Sequence, residues 1–261
     1  MADALYLYGL APREHYAKLE ALDADIELLE HAGLAAVYRH CLQRDFAHAE
    51  SDAGQGHLNR RLLSQIGEHD GIVQSIIAIT PFFPARFATL YSSKKVLLSF
   101  MRSNHSAIET FLSSSAGHRE WAVKGYIRRE QACDYLLAEA LRQQPPKSEW
   151  PGQRYVQKRQ TALKVERQIT QWLQARAEDV IERLSQLTAD IVKRPLPAPI
   201  DSDTTEECFG NWALLLADDR IDSLQQALDD INAREAPHGL RFGCTGPWAL
   251  YSFSQKITLK N

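Results

Sequence analysis

The sequence predicts an α+β protein of two domains, and three features carry that expectation. Short aromatic or β-branched runs bounded by Gly and Pro, such as Ala4 to Tyr8 and Asn211 to Ala217, read as strands. Stretches whose apolar residues recur every three or four positions read as amphipathic helices, and both kinds of segment occur in each half of the chain. At 261 residues with 44% hydrophobic content, the chain is long enough for two ordinary domains, each with its own core. The expected division is 1–128 and 129–261, the second part carrying a long helix at about 151–193.

Taken in order, Ala4 to Tyr8 (ALYLY) is a first strand, stopped by Gly9 and Pro12. Ile26 to Glu30 and Leu34 to Leu42 are two further strands, and His31, Ala32 and Gly33 between them suit a hairpin. From Leu58 to Ile77 the apolar spacing is helical, with Gly67 and Gly71 predicting a break near His69. Thr80 to Tyr91 (TPFFPARFATLY) returns to extended character, and its two prolines confine it to a sheet edge. Ser92 offers an N-cap to a helix with Val96, Leu97, Phe100, Met101, Ile108, Phe111 and Leu112 on its apolar face. Arg119 to Arg128 is a strand, and Ala132 to Leu141 a helix ended by Pro145 and Pro146.

After Pro151 and Gly152 there is no Pro or Gly until Val192 has passed, which allows one helix of roughly 60 Å. Leu173, Ala177, Val180, Leu184, Leu187 and Ile191 alternate steps of four and three, the seam of a helical hairpin or coiled-coil-like pair. The partner is either the helix from Ala132 or a second molecule. Pro195, Pro197, Pro199 and the acidic 201–207 run read as a linker. Asp222 with Gln225 forms a capping-box pattern ahead of Leu224, Ala227, Leu228 and Ile231. Leu240 to Cys244, a Gly246–Pro247 turn and a β-like Trp248 to Phe253 complete the chain.

Composition narrows the function. Thirty Lys and Arg against 33 Asp and Glu, a net charge of −3, provide no general attraction to nucleic acid or anionic lipid. No window reaches the roughly 20 apolar residues of a membrane span. Met1 to Leu5 lack a basic n-region, so the protein is expected in the cytoplasm. Cys41, Cys133, Cys208 and Cys244 are widely scattered and fit reduced thiols.

No nucleophile elbow, phosphate-binding loop or dinucleotide fingerprint occurs, so no catalytic residue, cofactor or small-molecule substrate is expected. The nine histidines lack metal-site spacing, and no metal ligands are assigned. Glu68, His69 and Asp70 sit together near the expected break. An enzymatic alternative would join Glu68, His69, Arg86 and Lys124 in a cleft. Six basic residues between Lys147 and Arg167 make one end of the long helix electropositive, a face suited to solvent or to an acidic partner such as the 201–207 run. Phe82, Phe83, Arg86 and Phe87 form one aromatic cluster, and Trp248, Tyr251 and Phe253 another. If exposed, these are partner-binding anchors, because aromatic and Arg side chains dominate contact energetics.

Five motifs then stand in a recognisable order: Tyr6, Leu7, Tyr8, Gly9; His69 leading to Pro84, Ala85, Arg86, Phe87, Ala88; Trp121, Ala122, Val123, Lys124; Pro151, Gly152 with Tyr155; and Gly246, Pro247, Trp248 with Tyr251, Ser252, Phe253. Together they resemble the GvpL/GvpF family of gas vesicle proteins over nearly the whole chain. The family usually places Gly where Ala88 stands, and prolines where Ala249 and Leu250 stand. Alanine at 88 therefore predicts against a positive-φ turn there. The resemblance implies a modified ferredoxin-like N-terminal domain and a non-enzymatic role in building the gas-filled protein shell. It implies the main gas vesicle shell protein as partner, with other accessory proteins. Two alternatives remain beside it: the cleft enzyme, and a scaffold dimerising through the long helix.

Overall fold

The structure, a computed structural model, describes residues 3–46, 60–143, 150–197 and 205–254. Helices and two antiparallel sheets are mixed along the chain, an α+β architecture. It divides into two compact units, 3–120 with 247–254, and 121–246. A division at 128/129 had been expected; instead the first unit ends earlier and takes back the C-terminal segment.

The first unit begins with β1 (Asp3–Pro12), a one-turn α1 (Tyr16–Glu20), and the hairpin β2 (Glu27–His31) and β3 (Leu34–Leu42). Then follow α2 (Arg60–Ile77), the two-residue strands β4 (Phe83–Pro84) and β5 (Leu90–Tyr91), and α3 (Lys94–Ser114). The sheet runs β2-β3-β1-β4, with β5 also paired to β1. Between Leu7 and Gly9 the pairing with β3 shifts, so Tyr8 is an extra residue, a bulge. Its effect is to place Ala11, not Leu10, in the same core cluster as Tyr6 and Tyr8. Gly9 has φ 155°, and a Cβ there would lie 2.3 Å from the Phe83 carbonyl oxygen, so β4 closes on β1 only at glycine. Phe82 packs into the cluster that α2 supplies with Val73 and Ile76, whereas Phe83 meets Phe111 of α3 at 5.1 Å.

Three local expectations are corrected in this unit. First, α2 continues through Gly67 and Gly71, where a Cβ would meet nothing within 4 Å. At such exposed sites glycine costs about 1 kcal/mol, which the buried Val73, Ile76 and Ile77 offset. Leu58, the proposed first position, lies outside the described residues. Second, the α3 cap is Ser93, whose oxygen accepts from the Val96 N–H at 3.4 Å, not Ser92. Third, Val96 is exposed, and Asn104 takes a buried place, its amide nitrogen donating to the Phe100 carbonyl at 2.9 Å.

The second unit is built on β6 (His118–Ile127), α4 (Arg129–Gln143), α5 (Pro151–Ser185), β7 (Asp190–Lys193), β8 (Glu207–Ala217), α6 (Ile221–Glu235) and β9 (Leu240–Trp248). The chain enters it within β6 and leaves it within β9. The sheet order is β7-β8-β6-β9. Val123 and Ile127, Trp212, Leu214 and Leu216, and Leu240 and Phe242 alternate along their strands. They share one core with Ala132, Ile169, Leu173, Val180, Leu184, Leu224, Leu228 and Ile231 of the three helices. Helices α4 and α5 pack on each other.

Leu173, Ala177, Val180 and Leu184 thus face one core, but α5 stops at Ser185 and Ile191 lies in β7. Pairing of Asp190–Lys193 with Trp212–Leu215 captures β-branched Ile191 and Val192, a tertiary gain that overrides helical spacing. Asp222 lies inside the first turn of α6 and no side chain caps that helix, so the capping box is not made. Pro145 and Pro146 fall outside the described residues. Gly246 and Pro247 continue β9 instead of turning, which an edge strand permits because a missing N–H is harmless there. Instead of a strand, a helical turn α7 (Tyr251–Ser254) closes the described chain.

Candidate functional site

Residues from four distant parts of the first unit converge on His69. The buried face of α2 presents this imidazole, only 5% exposed. Nδ1 lies 2.7 Å from the Tyr6 hydroxyl and Nε2 lies 3.0 Å from the Tyr251 hydroxyl, 182 residues along the chain. The Tyr6 oxygen accepts from the Ala88 N–H at 3.4 Å. With its oxygen accepting there, Tyr6 is free to donate to Nδ1, and in that tautomer Nε2–H donates to Tyr251. Tyr8 stacks on the imidazole with ring centres 5.5 Å apart, and Phe87 approaches edge-on at 5.8 Å. The Arg39 guanidinium lies 5.4 Å from the Tyr6 ring centre and 6.0 Å from that of Tyr8.

Burial, with a smaller contribution from the Arg39 charge, pushes the His69 pKa down to about 4, so the ring is neutral near pH 7. Burial likewise holds the Tyr6 and Tyr251 hydroxyls well above the usual phenol value and Tyr8 at about 12. A neutral imidazole between two protonated phenols is a hydrogen-bonded brace, not a proton-exchanging pair at neutral pH. The Tyr8 hydroxyl is buried and meets no hydrogen-bond partner among the described residues.

Two further features hold the knot. Ala88 adopts φ 63°, the left-handed conformation that its identity argued against. The turn survives because its N–H reaches Tyr6 and because Thr89 bonds the Arg86 carbonyl through both N (3.1 Å) and Oγ1 (2.7 Å). Glu120, wholly buried, accepts from the Ser252 N–H at 2.8 Å and its hydroxyl at 2.9 Å, clamping the segment that carries Tyr251.

The aromatic anchors are placed differently from expectation. Phe82, Phe83 and Phe253 are 2%, 4% and 5% exposed and belong to the core, because strand pairing sends Phe82 and Phe83 to opposite faces of the sheet. Phe87, Trp248 and Tyr251 are half-buried, and Arg86 alone of the seven is exposed. Glu68 faces solvent 3.9 Å from Arg39, while its neighbour His69 turns inward. Lys124 is half-buried on β6 in the second unit. Glu206 of the acidic run pairs with Arg128 and Arg241, and Glu207 with Arg129.

Arg39 and Glu68 also wall an open polar hollow of about 680 Å³ with Glu27, Asp45 and Arg61. Two of its carboxylates are already matched: Asp45 with Arg61 at 3.0 Å, and Glu27 with Lys94 at 3.0 Å and the Tyr38 hydroxyl at 2.7 Å. The four cysteines are free and half-buried, and burial raises Cys41, Cys133 and Cys244, the last to about 11, which makes them poor nucleophiles. Among the described residues no cluster of three or more His, Cys, Asp or Glu side chains gathers in metal-binding fashion.

Arg39 and Glu120 are the site residues that sequence reasoning missed. A carboxylate in the otherwise strand-like Arg119 to Arg128 run was the one available signal for Glu120, and Arg39 gave none.

A family model described as gas vesicle synthesis protein GvpL/GvpF matches residues 4–255. The crystal structure of the gas vesicle protein GvpF from Anabaena sp. PCC7120 superimposes with a TM-score of 0.68 at 16% identity, over 99% of this chain and 100% of that one. That of GvpF from Microcystis aeruginosa gives 0.62 at 14% identity, over 97% and 99%. No curated protein matches.

Proposed function

This chain belongs to the GvpL/GvpF family of gas vesicle synthesis proteins, and from that premise we propose that it is an accessory protein of gas vesicle formation that acts by binding, not by catalysis. The observation that carries this reading is the fate of its chemically capable residues. The motif residues Tyr6, His69, Ala88, Tyr251 and Ser252 are used in one knot around a buried imidazole that is neutral and doubly hydrogen-bonded. Such a knot makes a rigid body, the prerequisite of a preorganised binding surface.

Within this reading the partners are the main gas vesicle shell protein and other accessory components, and the place of action is the cytoplasm, at the growing vesicle. The protein would hold or nucleate shell subunits, covering their apolar surface until the shell closes. A reduced ferredoxin-like character for the first unit is supported by its order β1-α1-β2-β3-α2-β4. A coiled-coil-like pairing of α4 with α5 is supported by Ala132 and Leu136 packing in the cluster of Leu173, Ala177 and Val180.

Deleting the gene tests the proposal. Vesicles should be absent or malformed and return on complementation; normal vesicles in the deletion strain would refute it.

A further inference from the structure

The N-terminal half of α5 stands outside the core that its C-terminal half builds. Buried positions begin at Val165 and continue with Ile169 and Leu173, whereas none of residues 152–164 is buried. On that stretch Val156 and Leu163 are 53% and 50% exposed, Tyr155 is 64% exposed, and Trp150 at the N-cap 75%. Val156, Gln160 and Leu163 follow the four-then-three spacing of a helix-pairing seam. Around them Arg154, Lys158, Arg159, Lys164 and Arg167 are all exposed, against Glu166 alone.

Charge selects the occupant. Among the described residues of the acidic run, Glu206 is taken by Arg128 at 3.1 Å and Arg241 at 2.6 Å, and Glu207 by Arg129 at 2.9 Å. A second copy would set the same basic stretch against itself in either orientation. A helix lying in a lipid surface needs a broad apolar face, whereas Gln153, Gln157 and Gln160 interrupt this one. We propose that residues 150–167 dock an acidic amphipathic helix of another protein, with its apolar residues over Val156 and Leu163 and its carboxylates toward Arg159, Lys164 and Arg167. This deepens the reading of a binding protein and rests on it: the occupant is a helical segment of a shell or accessory component. Exposed Trp, Tyr and Arg side chains suit such a contact.

The probe is a labelled three-heptad peptide with Leu at its a and d positions and Glu elsewhere, titrated with the full chain beside a Lys-for-Glu counterpart. The acidic peptide should bind and the basic one should not. Affinity should fall at least about tenfold in an Arg159→Glu, Lys164→Glu, Arg167→Glu variant and in a Val156→Ser, Leu163→Ser variant, both keeping the parent circular dichroism. It should also weaken as salt approaches about 1 M, where the screening length is about 3 Å. Equal binding of the basic peptide, or acidic-peptide binding indifferent to the charge reversal, would overturn the proposal. So would anionic vesicles bound through these same residues, or a self-association that these substitutions abolish. If the gene proves necessary for vesicles while the peptide fails, this inference alone falls; if vesicles form without the gene, the functional reading falls.

Discussion

Tyr251 and Tyr8 make the same kind of side chain do opposite work around one imidazole. The Tyr251 hydroxyl satisfies His69 Nε2 at 3.0 Å, so Tyr251→Phe leaves this buried ring nitrogen unpaired and should lower stability by about 1–3 kcal/mol in urea unfolding. Tyr8 contributes only its ring, since its hydroxyl has no partner among the described residues, and Tyr8→Phe should stay within about 0.5 kcal/mol of the parent or gain. His69 adds a pH dependence whose sign is determined by its depressed pKa. The folded ring titrates near about 4 and the unfolded ring near about 6.5, so between these values the unfolded chain binds the extra proton. Stability from this group is complete above the upper value and declines as pH falls toward the lower one, by on the order of 3 kcal/mol in all. Denaturation midpoints between pH 7 and 5 should show that decline, and His69→Asn should flatten it. Ala88, at φ 63°, is under backbone strain that glycine lacks; Ala88→Gly should raise stability by about 1 kcal/mol in the same assay.

Among the elements, the cap of α3 separates what periodicity reveals from what geometry decides. Ser93→Ala should cost about 1 kcal/mol, and Ser92→Ala almost nothing, because only the Ser93 oxygen reaches the Val96 N–H. Two adjacent serines are equivalent in sequence, and the choice depends on where β5 releases the chain. The same limit explains α5 and β7. Helical spacing through Leu184 was legible, yet the passage of Ile191 into a strand depends on β8, which comes later in the chain. Hairpin β2–β3, the proline-limited edge strands β4 and β5, and the alternating core of β8 were readable because their signals are local. The candidate site was less so. Tyr6, His69 and Tyr251 could be quoted as motif fragments, but their meeting requires the C-terminal segment to return to the first unit, and burial of Phe82 and Phe83 requires the sheet they pair with.

For the whole molecule, family membership agrees with a role in gas vesicle synthesis, and the knot around His69 joins residues of three of the five motif segments, Tyr6, His69 with Ala88, and Tyr251. Once those residues are assigned to cohesion, the large apolar side chains left exposed among the described residues are Leu63, Val96, Leu196 and those at the start of α5. The account therefore rests on physical association with shell components. Co-purification of the tagged protein from vesicle-forming cells measures this directly. The account predicts that the main shell protein is recovered with it in washes that retain folded complexes; its absence, while vesicles form normally in the same cells, would contradict the claim.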